Sequence, residues 1–239
     1  MARAILTDLP LKRLSARAES EAARLEDRLG APLQGVHEIA PAAFADMAAA
    51  LGLAVGFAQT RPHGGWLWVR TRRQRLDLGR ISARGLAALG GDPGRVMLVE
   101  TRDHNAALRA IDEAARSRAI GAVIAEVESA DFTFTRRLTL AHEASATPVI
   151  LVRSWRTEGA TAAHNRWRVA AAPSAPNAFD SKAPGRARWQ VTLERSREFA
   201  QRAGETFLME MDDAPLRVRL VPALADGAPE TRPHHALAG

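Results

Sequence analysis

The chain reads as an α/β protein built on parallel strands, and three observations carry that reading. Short apolar runs of strand length recur between residues 36 and 153, segments of helical period lie between them, and turn residues stand at the junctions. Each crossover helix must cover the sheet it leaves, so alternation of this kind predicts parallel strands buried on both faces.

Residues 1–34 are polar and partly helical, with Leu11, Leu14, Ala18, Ala22, Leu25 and Leu29 able to line one side of an N-terminal arm. Gly35-Val-His-Glu-Ile39 is a short strand. A strong helix is predicted over Pro41 to Ala58, carrying Phe44, Met47, Leu51 and Val55 on its apolar face, with Pro41 in the first turn where proline is tolerated. Trp66-Leu-Trp-Val69 is the next strand, its two indoles expected in the core across both faces. A helix over Leu78 to Leu89 and a turn cluster at Gly90 to Gly94 lead into the strand Arg95 to Glu100. His104 to Arg118 has helical spacing, with Asp103 as N-cap. Ala122 to Val127 and Pro148 to Arg153 are strands. Between them Phe134, Leu138 and Ala141 fall on a helix that Asp131 or Thr133 caps. The alternating pattern therefore holds five strands and four helices up to Arg153.

Beyond Arg153 the character changes. Ser154 to Asn165 is a polar loop and Arg166 to Ala170 alternates like a strand. Pro173 to Arg186, rich in Pro, Ala, Ser and Gly, is mobile or draped over the surface. Trp189, Val191 and Leu193, then Phe207, Met209 and Met211, then Leu216, Val218 and Leu220 alternate with polar residues. Period two broken by turns predicts an antiparallel meander, either continuing the sheet of the core or forming a small lobe on it. The expected organisation is an arm over 1–34, a core over 35–153, a β extension of the same domain over 154–221, and a disordered tail over 222–239.

Composition narrows the classes. The sequence has no cysteine, so disulfides and thiolate metal sites are excluded, and no stretch reaches the apolar length of a membrane span. The expected location is the cytoplasm, with no membrane partner. The net charge of +6 rests almost wholly on arginine, since Lys12 and Lys182 are the only lysines. Such a balance permits attraction to nucleic acid or an acidic partner, and it equally reflects a GC-rich codon bias.

The loop after the first strand is where an open α/β nucleotide-binding domain cradles phosphate, using glycines for close backbone approach, a lysine and a Ser or Thr hydroxyl. Here it reads Ile39-Ala-Pro-Ala-Ala-Phe-Ala-Asp46, with no glycine, lysine or hydroxyl. Pro41, Phe44 and Asp46 mark this degenerate position, and Asp46 brings the wrong sign into the first turn. Glu100 and Glu126 stand where an ATPase holds its magnesium-linked carboxylate and base. Without the cradle they read as surface or helix-capping carboxylates. No catalytic residue, metal or cofactor is expected. The histidines show no ligand spacing, and Ser/His/Asp catalysis lacks its G-x-S-x-G elbow.

Two basic clusters remain. Arg70, Arg72, Arg73 and Arg75 leave the carboxyl end of a strand, the edge at which open α/β sheets bind ligands. Arg136 and Arg137 lie early in a helix, where cations oppose the dipole. Both clusters are candidate contacts for a partner or for nucleic acid, against the alternative of a solvated charged face.

Gly35-Val-His-Glu-Ile, Gly65-Trp-Leu-Trp-Val, Leu78-Gly-Arg, Gly85-Leu-Ala-Ala-Leu-Gly, Arg95-Val-Met-Leu-Val-Glu, Ile120-Gly-Ala-Val-Ile-Ala-Glu-Val, Thr135-Arg-Arg-Leu-Thr-Leu-Ala and Arg188-Trp-Gln-Val-Thr-Leu-Glu-Arg-Ser-Arg occur in this order. In this ordered series, over about residues 35 to 221, the chain resembles the ImuA-type inducible mutagenesis proteins of bacteria, distant members of the RecA/SulA-like group. The resemblance implies a RecA-like fold, an open and mostly parallel sheet flanked by helices, here followed by the antiparallel meander. It also implies an accessory role in damage-induced (SOS), error-prone translesion DNA synthesis. The implied partners are a polymerase-like protein of the Y family and an error-prone relative of the replicative polymerase. Recombinase-like relatives bind ATP through a phosphate loop, and this sequence departs from them over Ala40 to Met47. The expected function is therefore that of a non-catalytic adaptor. The alternatives are an atypical ATP-binding modulator of recombination, with a recombinase as partner, and a direct binder of single-stranded DNA.

Overall fold

Strand β1 (Val36–Pro41) is buried along its whole length, as its apolar run requires. In the computed structural model, which describes residues 34–59, 64–156, 159–177, 179–180, 182–211 and 218–220, it lies inside a nine-stranded sheet. The other strands are β2 (Gly65–Thr71), β3 (Val96–Thr101), β4 (Ile120–Val127), β5 (Val149–Arg153), β6 (Asn165–Ala172), β7 (Arg188–Ser196), β8 (Thr206–Met211) and β9 (Val218–Leu220). Their order is β3-β2-β4-β5-β1-β6-β7-β8-β9. The first six in that order run parallel, and β7, β8 and β9 follow, each antiparallel to the strand before it. The protein is thus α/β, with a mostly parallel sheet, flanking helices and an antiparallel set at its C-terminal side. The meander continues the sheet of the core; it is not a separate lobe.

Among the described residues five α-helices accompany the sheet: α1 (Met47–Ala58), α2 (Arg72–Leu78), α3 (Ala83–Ala88), α4 (His104–Arg116) and α5 (Phe132–Ser145). Two cores result. On one face α1 and Leu86 of α3 pack over Ile39, Trp66, Trp68, Ile124, Ile150 and Trp167. On the other, Ile111 of α4 and Phe134 and Leu138 of α5 pack over Leu67, Val69, Val123 and Leu151. The helix ends obey local rules: the Asp103 and Asp131 carboxylates accept the N–H groups of Ala106 and Phe134. Gly52 lets α1 approach β7, because a Cβ there would lie 2.4 Å from the Trp189 ring. That contact fastens the antiparallel strands to the parallel core.

Several expectations need correction. Pro41 ends β1 and does not open a helix; α1 begins only at Met47, after a single 3-10 turn over Phe44–Asp46. The helix expected over Leu78 to Leu89 is confined to α3 (Ala83–Ala88), and an unexpected helix, α2 (Arg72–Leu78), precedes it and ends at Gly79, where φ is +81°. Trp66 and Trp68 share one face, as a period of two demands. Strand β3 is not buried on both sides: it is the outermost strand, and Met97 and Leu98 are 62% and 46% exposed. Between β6 and β7, Pro176 and Pro184 form an isolated antiparallel bridge. The N-terminal arm up to residue 33 and the tail from 222 lie outside the described residues. Among the described residues, no helix is long and apolar enough to cross a membrane.

Candidate functional site at the carboxyl edge of the sheet

In an open α/β sheet, ligands bind at the carboxyl ends of the strands, where successive connections leave toward opposite faces. Here the connection from β1 enters α1 on one face, while that from neighbouring β5 runs past Ala163 on the other. The loop at this point is tied to itself and to β6. Pro41 has no N–H to offer. The Ala42 N–H donates to the Val169 carbonyl at 2.7 Å, and the Asp46 N–H to the Ala43 carbonyl at 3.0 Å. The Asp46 carboxylate accepts from the Ala43 N–H at 3.0 Å and from the Ala171 N–H at 2.8 Å. A carboxylate of the chain thus takes backbone donors that a phosphate would need, and Phe44 points outward, 57% exposed.

Glu126 stands on the same face and in the same register row as Ile39 at the start of this loop, with Val152 between them. Two strand spacings, about 10 Å, separate them. Its side chain is neither at the surface nor a helix cap. It is buried, and its Oε1 accepts from Trp68 Nε1 at 2.8 Å and lies 3.5 Å from Arg70 Nη1. The Arg70 guanidinium also donates to the Gly79 carbonyl and stands 3.7 Å from Glu100 Oε1, while Arg75 holds Glu100 Oε2 at 3.4 Å. Burial pushes the Glu126 carboxyl above its ordinary range, against the opposing pull of Arg70.

The arginine clusters do not form one grip. Arg70 points into the sheet and is 2% exposed. Of the rest, Arg73 lies 3.7 Å from Asp77 and 3.8 Å from Glu128, and Arg75 is held by Glu100. Arg137 binds Asp112 at 2.5 Å. Arg72 and Arg136 are exposed, with no acidic partner among the described residues. The connection carrying Arg72 packs Ile81 and Leu86 on the α1 face, whereas α5, carrying Arg136, covers the opposite one.

Two assemblies were invisible in the sequence. Glu38 of β1, completely buried, accepts from Arg153 Nη1 at 2.8 Å and from Arg166 Nε at 3.2 Å, which joins β5, β1 and β6. At the opposite, amino edge, three scattered histidines converge. His164 Nδ1 accepts the Val36 N–H at 3.0 Å, and the His142 and His164 rings are 5.8 Å apart. Burial, reinforced by these two neighbours, pushes His37 down to about 3, and burial also lowers His164. No group of three or more metal-binding side chains with suitable placement exists among the described residues. Their partners lie more than a hundred positions away for Glu38 and His37, so no local pattern announces them.

No family model matches the chain. Protein ImuA of Caulobacter vibrioides, from strain NA1000 / CB15N and likewise from strain ATCC 19089 / CIP 103742 / CB 15, is 33% identical over 214 residues, which is 82% of this chain and 84% of the relative. The chain belongs to the ImuA family. Among solved structures, SulA from Pseudomonas aeruginosa superposes with a TM-score of 0.39 at 16% identity, covering 50% of this chain and 97% of SulA. In this ImuA-family chain, the motif segments quoted above fall on β1, β2, β3, β4 and β7, on helices α3 and α5, and, for Leu78-Gly-Arg, at the end of α2. They are mostly the walls of the two cores; the buried Glu38, Arg70 and Glu126 lie within or beside them.

Proposed function

We propose that the chain is a non-catalytic adaptor on a RecA-like core, acting in damage-induced, error-prone translesion synthesis. It works through contacts with a Y-family-polymerase-like protein and an error-prone replicative-type polymerase. Membership of the ImuA family supports the pathway, and one observation carries the absence of catalysis. The Asp46 carboxylate accepts the Ala43 and Ala171 N–H groups at the place where a nucleotide loop would direct such donors at phosphate. A triphosphate there would meet a negative charge and backbone donors already bound. Glu126 and Glu100, the carboxylates an ATPase would use for magnesium and water, are instead held by Trp68, Arg70 and Arg75. What remains is a rigid scaffold with loops, which suits docking.

Thermal denaturation with ATP and magnesium tests this directly, because a ligand that binds the native state raises the melting temperature. The expected result is an unchanged melting temperature and no release of phosphate. A rise at millimolar ATP, or turnover that Glu126→Gln abolishes, overturns the reading. The partner half is tested by recovering the tagged full chain from DNA-damaged cells, where both polymerases are expected to come with it.

A further inference from the structure

The large apolar side chains left exposed are not scattered. Among the described residues there are eight, and Met97 and Leu98 on β3 and Leu140 on α5 account for three. The other five, Leu76, Phe132, Trp155, Phe44 and Phe179, stand on the connections that follow β2, β4, β5, β1 and β6. All five connections leave the carboxyl edge, and those strands are consecutive in the sheet. None of the eight belongs to a described connection of the amino edge. Three of them, Trp155, Phe44 and Phe179, follow the adjacent strands β5, β1 and β6.

Phe179 is the most telling, because it is 99% exposed and its backbone is held by a neighbouring side chain. The Asn177 side-chain carbonyl accepts the N–H groups of Phe179 at 2.9 Å and Asp180 at 3.3 Å. At the base, the Ala175 N–H donates to the Arg186 carbonyl at 2.8 Å and the Gly185 N–H to the Ala175 carbonyl at 3.1 Å. A Cβ on Gly185 would lie 2.1 Å from the Ala175 oxygen, so the closure requires glycine. A phenyl ring held wholly in water above such a closed base has the form of an interface anchor.

At this edge, among the described residues, the carboxylates are engaged and several cations are free. Asp46, Asp103, Asp131 and Asp180 each turn a carboxylate oxygen onto a backbone N–H of their own loop or turn. Arg72, Arg136, Arg156 and Lys182 are exposed and have no acidic partner among the described residues; Arg156 lies over the Trp155 ring at 4.6 Å. We infer that the carboxyl edge over β5, β1 and β6 is a protein-docking surface, anchored by Phe44, Trp155 and Phe179, for a partner whose apolar pockets are rimmed by acidic side chains. A nucleic-acid strand fits less well, since such strands lie in a continuous basic groove with successive stacked rings. Here, among the described residues that follow β5, β1 and β6, the free cations are Arg156 and Lys182, on separate loops.

The inference rests on the adaptor reading, and one experiment separates the two. Tagged full chain is recovered from DNA-damaged cells and the two polymerases are quantified, for the unaltered protein, for Phe44→Ala with Phe179→Ala, for Lys182→Glu, and for Leu140→Ala as an exposed residue off this edge. At unchanged melting temperature, the double variant is expected to recover at least tenfold less polymerase. Lys182→Glu should recover several-fold less, and Leu140→Ala the same amount as the unaltered chain. Undiminished recovery with the double variant overturns the docking surface and leaves the adaptor standing. No polymerase with the unaltered chain overturns both. Loss of affinity for a fluorescent oligothymidylate in the double variant, with polymerase recovery intact, also overturns it and makes the edge a nucleic-acid platform.

Discussion

Glu38 and Glu126 are both carboxylates enclosed by the same sheet, yet their surroundings differ in a way that burial alone does not capture. Glu38 faces two arginines, Arg153 at 2.8 Å and Arg166 at 3.2 Å, and belongs to the face covered by α4 and α5. Glu126, on the α1 face, has a neutral indole at 2.8 Å and a guanidinium at 3.5 Å that it shares with Glu100 and the Gly79 carbonyl. One site holds two cations around one anion; in the other, Arg70 is shared between Glu126 and Glu100, and the second cation, Arg75, serves Glu100 alone. The first is a rivet across three strands that works only while charged. The second is a carboxyl whose charge is poorly compensated, and burial accordingly raises its proton affinity. An enzyme would want a buried carboxylate of the second kind facing substrate. Here it faces the Trp68 indole.

The comparison breaks most visibly at Glu38. Glu38→Gln leaves Arg153 and Arg166 pointing at a neutral amide inside the sheet, and removing one partner of a buried ion pair costs about 3–5 kcal/mol. Urea unfolding followed by circular dichroism should show that loss as a lower midpoint at unchanged slope. Retention of stability within about 1 kcal/mol would mean that solvent reaches the pair, and that the contrast with Glu126 is one of geometry only.

Acid sharpens the contrast from the other face of β1. His37, buried beside Phe57, holds its proton only below about pH 3 in the folded chain and near 6.5 when unfolded. A basic group with a depressed folded value contributes stability above its unfolded value and loses it as pH falls. Between pH 6.5 and 5 the loss from His37 should reach about 2 kcal/mol, at roughly 1.4 kcal/mol per pH unit. His164, lowered in the same direction, adds to it. Glu126 acts oppositely: its raised folded value makes stability fall as pH rises from 4.5 through that value. Unfolding midpoints measured from pH 7.5 to 5 should therefore decline on acidification in the unaltered chain and decline less in His37→Gln. Parallel curves for the two proteins would remove His37 as the cause.

The parallel strands and the caps at Asp103 and Asp131 were legible in the sequence because apolar runs, helical period and capping are local properties. That the loop after β1 has no glycine, lysine or hydroxyl was equally legible, since this is a matter of residue type. What that loop does instead was not: the Asp46 carboxylate finds the Ala171 N–H, 125 residues away. Nor could the sequence say that β3 lies outermost, because strand order is set by how the crossovers fold back. The error at Trp66 and Trp68 was avoidable, as alternate residues of any strand share a face. Glu126 was found by its place at a strand end, but its partner Trp68 stands 58 residues earlier and becomes a neighbour only because β4 pairs with β2.

The smallest expected effect is at Glu126 itself. Glu126→Gln keeps the shape and a carbonyl oxygen that can accept from Trp68 Nε1, and it removes a buried charge that is unfavourable without full pairing. Against that gain, Arg70 loses one anion, though Glu100 and the Gly79 carbonyl remain to it. The two terms oppose each other, so the net change at pH 7 should stay within about 1 kcal/mol, well below that of Glu38→Gln. The substitution should also flatten the fall in stability as pH rises from 4.5, because the titrating group is gone. A destabilisation equal to that at Glu38 would show that Arg70 depends on Glu126 as strictly as Arg153 and Arg166 depend on Glu38. The two sites would then be electrostatic equivalents, and the weak compensation read from the 3.5 Å separation would be wrong.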